Sequence, residues 1–172
     1  DLDIFSANGT AEELILQPQL LLENDGKGYF TNAGPEASPY FLGKRSGRAA
    51  AAVDYDNDGD LDVVVSHIDL EATAALLQNI GGNRNHWLGL TLQGSKGPGS
   101  ALGAKVTVKS GDLTQVLINQ PANTYISWHD PRMHIGLAGH AKVDELHIWW
   151  PDGTEEVFSD LEVDRYLTIV QG

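Results

Sequence analysis

The chain contains no cysteine. That excludes a disulfide framework, a thiolate metal site and a cysteine nucleophile. It also tilts the expected source towards bacteria, since a eukaryotic secreted module of this size would often carry some. Basic residues are scarce: 11 Lys and Arg stand against 24 Asp and Glu, a net charge of −13. Nucleic-acid phosphates demand a basic footprint, and so does an anionic lipid surface, so neither partner is expected. Nor is there an apolar run of about eighteen residues, the length a membrane-spanning helix needs. The first residues, Asp1-Leu2-Asp3-Ile4, lack the basic and apolar regions of a signal peptide.

What is present is enough to fold. A chain of 172 residues, 41% of them hydrophobic, can bury the core of one ordinary domain or two small ones. It is therefore not a disordered acidic tail. The acidity is uneven: residues 1–80 hold fourteen acidic side chains against four basic, whereas residues 81–172 hold ten against seven.

Two segments echo each other. DLDIFS at residues 1–6 matches DLDVVV at 60–65, an offset of 59, and LLEN at 21–24 matches LLQN at 76–79, an offset of 55. A period of that size marks repeated supersecondary units, each unable to bury its own apolar face alone. Ala49 to Val53 reads as a small-residue strand, and the Pro- and Gly-bearing stretch 34–47 reads as a loop. From Trp87 onward the texture is alternating. Leu88, Leu90 and Leu92 form one such set; Val106 and Val108, Val116 and Ile118, Leu146, Ile148 and Trp150, and Leu167 and Ile169 form others. About seven short strands with Gly-rich turns between them predict a compact antiparallel sandwich. The expected boundary falls in Gly81 to Asn85, giving a repeat region over 1–80 and a sandwich over 81–172.

The densest charge lies in DYDNDGDLD, Asp54 to Asp62, followed at once by Val63 to Val65, a run suited to a buried strand. Asp54, Asp56, Asp58 and Asp62 occupy positions 1, 3, 5 and 9 of a loop. Gly59 at position 6 permits a sharp turn, and Asp60 at position 7 can offer its carbonyl. That oxygen-rich spacing suits Ca²⁺, while Mg²⁺ is disfavoured by its stricter octahedron. Position 12, where an EF-hand places a bidentate Glu, is Val65, and no helical pattern flanks the loop. No Lys or Arg lies between Arg48 and Arg84 to neutralise these carboxylates. A solvated acidic turn is the plainer alternative. A pair of carboxylates acting as acid and base is weaker still, because a metal-saturated carboxylate is a poor proton carrier.

Residues 1–80 resemble FG-GAP (VCBS-type) repeats, the calcium-bearing blades of integrin-like propellers. The resemblance rests on DYDNDGDLDVVV, DLDIFSANG and LLENDGKGYFTNAG. It implies an all-β fold with Ca²⁺ held by Asp54, Asp56, Asp58, Asp62 and the main chain of Asp60. The first unit keeps only Asp1 and Asp3 of such a loop. One and a half blades do not close a propeller, so a longer chain or neighbouring copies are expected to complete the sheet. The second half resembles the ASPIC/UnbV domain, found after such repeats in bacterial secreted proteins, through NRNHWLGLTLQGSKGPGSALGAKVTVKSG, HIGLAGHAKVDELHIWWPDGTEEVF and DRYLTIVQG. The family implies extracellular or cell-surface placement and no established catalytic residues.

The remaining candidates are weaker. His67, His86, His129, His134, His140 and His147 are scattered, and zinc binding by His129 and His134 ranks below ordinary surface histidines. No serine stands in a Gly-x-Ser-x-Gly elbow, and Gly97 to Gly99 opens no helix that could cradle a phosphate. Asn8-Gly9-Thr10 is a formal glycosylation sequon. Trp128, Trp149 and Trp150 offer a possible sugar platform, although alternation buries one of the last two. The sequence thus predicts a non-enzymatic, calcium-binding structural or adhesion module. Its expected partners are further copies of itself through open sheet edges, or alternatively a glycan or matrix protein.

Overall fold

A computed structural model describes residues 2–10, 14–68, 73–97, 101–122 and 124–172. The chain is all-β and divides into two compact units. The first comprises Asp1–Ala52, Val63–Leu77 and Thr124–Ser127; the second comprises Val53–Asp62, Gln78–Asn123 and Trp128–Gly172.

In the first unit β1 (Ile4–Ser6), β3 (Leu20–Asn24) and β4 (Phe30–Asn32) form an antiparallel sheet in the order β1-β3-β4. Between them β2 (Gln17–Pro18) pairs with β5 (Lys44–Arg45). A third sheet runs β6 (Gly47–Val53), β7 (Asp62–His67), β8 (Ala75–Leu77). The small-residue stretch at 49–53 is thus a strand, as its position before the acidic loop requires. The expected loop over 34–47 instead contains α1 (Gly34–Ala37) and a 3-10 turn (Pro39–Leu42), each with a proline in its first turn. Proline is pre-organised for that position and has no N–H to lose there. The turn delivers Tyr40 and Phe41 to a small core with Val65, packed by Phe5, Leu21 and Leu77. Val65 is fully buried but Val64 is 38% exposed. The valine run is therefore half-buried, not enclosed on both faces, because β7 has a core on one side only.

Among the described residues of the second unit there are seven strands: β9 (His86–Gln93), β10 (Lys105–Ser110), β11 (Leu113–Ile118), β12 (Met133–Ala138), β13 (Lys142–Trp149), β14 (Glu155–Glu162) and β15 (Arg165–Val170). They form two sheets, β11-β10-β13-β14 and β12-β9-β15. Most pairs are antiparallel, but β15 runs parallel to β9, from Arg165 opposite Leu88 to Val170 opposite Gln93. Alternation reports which face a side chain takes and carries no information on strand direction. The inner faces share one core. Leu88, Leu90, Val106, Ile135, Leu137, Val143, Leu146 and Ile148 are all completely buried in it. Burying each such side chain stabilises the fold by roughly 1.5–3 kcal/mol.

The alternating pair Val116 and Ile118 faces the other way: they are 60% and 51% exposed, while Leu113 and Leu117 pack inward. Their cross-strand partners explain this. Ile118 stands beside Lys105 and Val116 beside Thr107, on the outer face of the sheet. In the same row Trp149 stacks on His147 at 3.6 Å and lies under the Lys105 ammonium at 4.5 Å, whereas Trp150 is buried and donates to Glu156 Oε2 at 2.8 Å. Gln171 closes the end of the fold, donating to Asp152 and Thr154 and accepting from the Ser95 amide.

Candidate metal centre

The acidic loop links β6 to β7, and residues 53–62 fold as part of the second unit. Its turn is made by Asn57 and Gly59, at φ 61° and 97°. Asparagine and glycine tolerate this left-handed region; most residues do not. Gly59 is required a second time. A Cβ there would meet the Trp87 ring at 2.1 Å.

The turn folds the carboxylates inward onto the loop's own amides. Asp54 accepts from the amides of Asp58 and Gly59 at 3.1 and 2.9 Å, and Asp58 accepts from the amide of Asp60 at 3.1 Å. One carboxylate oxygen each from Asp54, Asp56 and Asp58 then lies within 4.8 Å of the others. Asp54 is buried and the other two are exposed, so the cluster opens to solvent on one side.

The two remaining expected ligands sit differently. Asp62 is fully buried; its carboxylate accepts from the Tyr55 amide at 3.2 Å and the Asn79 amide at 2.8 Å. It ties the start of the loop to the chain after β8. Asp60 Oδ2 accepts from the Gly82 amide at 3.0 Å, while its Oδ1 is buried with no hydrogen-bond donor against it. Burial, reinforced by the charges of Asp58 and Asp62, raises the Asp60 carboxyl above its ordinary pKa against the opposing pull of the Gly82 amide. Such a group is costly as an anion unless positive charge arrives nearby.

Residues distant in sequence complete the surroundings. Gln78 donates to Asp56 at 2.8 Å and Asn83 donates to Asp58 at 3.1 Å. The Tyr166 hydroxyl donates to Asp54 Oδ2. Burial and that bond push the Tyr166 hydroxyl well above its usual range. Arg132 donates to the Asp54 carbonyl at 2.7 Å and to Asn57 Oδ1 at 2.5 Å, with Asp130 gripping the same guanidinium. A cation does therefore reach the loop. It comes from 78 residues downstream, where a count along the local chain does not look. It serves the Asp54 carbonyl and the Asn57 side-chain oxygen, while the three clustered carboxylates accept from neutral donors.

An all-oxygen set of clustered carboxylates with an adjacent unpaired buried oxygen fits a hard divalent cation. Asp54, Asp56 and Asp58 are the residues that would hold it. Its charge would relieve their repulsion and that of Asp60.

Other expected sites resolve individually. Asp3 accepts from the Asn24 amide at 2.9 Å, and Asp1 lies outside the described residues. Asn8 is engaged through both side-chain ends, accepting from Ser6 at 2.7 Å and donating to the Pro18 carbonyl at 2.8 Å. Of the candidate zinc histidines, His134 contacts the Gly59 carbonyl at 2.9 Å. Of the expected sugar platform, Trp128 is 56% exposed, Trp149 is half-buried and stacked on His147, and Trp150 is buried. Pro98 and Gly99 also lie outside the described residues.

A family model for the FG-GAP-like repeat matches residues 1–65, and one for the ASPIC and UnbV domain matches residues 94–172. The chain joins an FG-GAP-like repeat to an ASPIC and UnbV domain. The acidic loop lies in the FG-GAP-like segment, whereas Arg132 and Tyr166 belong to the ASPIC and UnbV segment. Among curated proteins, the chain is similar to cartilage acidic protein 1 of Mus musculus, 32% identical over 131 residues, covering 68% of this chain and 19% of the relative. The Xenopus tropicalis and Homo sapiens proteins of that name are 32% and 33% identical, each over 62% of this chain and 16% of their own length. The chain thus spans less than a fifth of these relatives. Their vertebrate origin lends no support to the bacterial source that the cysteine-free composition suggested.

Proposed function

We propose that the chain is a calcium-binding extracellular module with a structural or adhesive role and no catalytic one. The convergence of Asp54, Asp56 and Asp58 oxygens within 4.8 Å carries the reading. Ca²⁺ fits better than Mg²⁺, because a half-open site built of loop oxygens matches a large ion with flexible coordination. Extracellular placement draws support from the relatives, whose name assigns them to cartilage, a matrix tissue. Calcium-binding extracellular modules typically work at Kd values of about 0.1–1 mM. Among the described residues no helix is long and apolar enough to cross a membrane.

The ion's work here is to hold a shape. Binding only the folded loop, it adds its binding free energy to folding. At a hundredfold excess over Kd this is about 2.7 kcal/mol, or a rise in Tm of roughly 5–10 °C for a domain of this size. Thermal melts in EDTA and in about 10–100 mM CaCl₂, a hundredfold excess over such a Kd, measure it; identical melts would sink the calcium reading. Asp56→Ala, at an exposed position, should melt like wild type in EDTA and lose the calcium-dependent rise.

For a partner, a second copy of the chain is favoured by the sheet β6-β7-β8, whose outer strand β8 pairs with no strand but β7 among the described residues. Light scattering that gives a strict monomer with and without calcium would remove this part of the proposal. It would leave the ion untouched.

A further inference from the structure

One face of the sheet β12-β9-β15 lines the core. The other carries a row of unlike residues in register: His134 on β12 stands opposite Gly89 on β9, and Gly89 stands opposite Tyr166 on β15. A Cβ at Gly89 would meet the Tyr166 ring at 2.2 Å, so the glycine leaves a shelf on which that ring lies. Trp87, two residues before Gly89 and on the same face, packs edge-on against Tyr166 at 5.0 Å and stacks with His134 at 6.0 Å. Arg132 places its guanidinium 4.1 Å above the Tyr166 ring.

Every one of these side chains also touches the acidic loop. Tyr166 donates to Asp54, Arg132 to the Asp54 carbonyl and Asn57, His134 contacts the Gly59 carbonyl, and Trp87 closes on Gly59. As a result β9 is buried on both faces from Trp87 to Leu90, although it belongs to a sheet with only one core. The loop is the second cover of that sheet.

We infer that the β12-β9-β15 sheet is a clamp for the cation loop, with Tyr166 as its positioning residue. Cation affinity is thereby set by the ASPIC and UnbV segment, and cation binding in turn stiffens that sheet. The inference rests on the calcium reading above. Tyr166 acts through Asp54. Its hydroxyl joins the Gly59 amide on Asp54 Oδ2, while the Asp58 amide holds Oδ1, so it is the donor from outside the loop that fixes how this carboxylate is turned. Hydrogen-bond partners of metal ligands typically contribute 10–100-fold in affinity. Coupling must also be reciprocal: what the sheet gives the ion, the ion gives the sheet.

The experiment has two arms on the full chain. Calcium calorimetry compares wild type with Tyr166→Phe, which keeps the ring on its shelf and removes only the donor. The expected result is a Kd weakened about 10–100-fold. A purely structural role would lower the melting temperature in EDTA and leave Kd unchanged. Hydrogen exchange on wild type, with and without calcium, needs no variant. Protection should rise at residues 86–93, 133–138 and 165–170 as well as in the loop. Wild-type Kd in the variant, or protection confined to 53–62, overturns the clamp while leaving the calcium reading intact. No calcium binding by wild type overturns both.

Discussion

Gly59 shows how much one residue can carry. It lies at φ 97° and its missing Cβ is the space that Trp87 fills, so a side chain there is opposed by the backbone and by packing together. Gly59→Ala is expected to cost at least about 1–3 kcal/mol, the range for a single strained backbone position, with the steric clash added. Chemical denaturation measures this, and a loss below about 0.5 kcal/mol would show that the turn relaxes freely. The turn requirement at Gly59 was legible in the sequence from its place among the aspartates. Its second role was not, because Trp87 approaches through tertiary packing. The same holds for the carboxylates. Their spacing predicted a shared ion, but it did not show that Asp54, Asp56 and Asp58 each bring an oxygen within 4.8 Å of the others, or that Asp62 accepts from the Tyr55 and Asn79 amides.

At the scale of elements, the period-two sets fall on β9, β10, β11, β13 and β15, with none drawn over β12 or β14, and on β9, β10 and β13 the alternating residues line the core. On β11 the alternating set, Val116 and Ile118, lies on the outer face. Leu113, Gln115 and Leu117 alternate against Val116 and Ile118, so both faces of that strand carry apolar residues. The choice falls to the strand's neighbour. Val106 and Val108 on β10 point inward, and pairing with β10 puts Thr107 beside Val116 on the outside. Paired substitutions test this directly. Ile148→Ala, at a completely buried site, is expected to cost about 2–5 kcal/mol. Val116→Thr, at an exposed strand site, should stay within about 0.5 kcal/mol. Comparable losses from both would contradict the assignment of faces.

Over the whole molecule, the net charge of −13 makes acid behaviour informative. Burial alone would raise the Asp130 carboxyl, but the bonds from Arg132 outweigh it and hold the group below its ordinary value of 3.8. Hydrogen bonds from neighbours also lower Asp144, Glu145 and Asp152. A carboxylate with a depressed folded pKa binds fewer protons when folded than when unfolded. Its stabilisation is therefore complete above the unfolded pKa and is lost as pH falls through the folded one. Stability should drop from about pH 4 downward, in the range of these carboxyl groups. Asp130→Asn should make that acid limb shallower, because one of the protons taken up on unfolding is gone. Denaturant midpoints between pH 2 and 7 measure both, and an unchanged slope in the variant would remove Asp130 from the account.

By itself the sequence determined the all-β class, the repeat, the turn at Gly59 and the chemistry of the loop. Apart from the repeat, which shows as an echo 55 to 59 residues along, these are local properties, fixed by residue type, spacing and period over a dozen residues or fewer. Only the tertiary structure decided what the loop is folded against. Tyr166 and Arg132 reach Asp54 across 112 and 78 residues, and no periodicity or motif extends that far. It also decided that β15 runs parallel to β9, which brings Tyr166 opposite Gly89 and its hydroxyl to the loop. A carboxylate-rich loop states its need for positive charge and for donors along its own length. Which side chains answer that need is settled by the packing of strands, because proximity in a β-fold is set by register and not by distance along the chain.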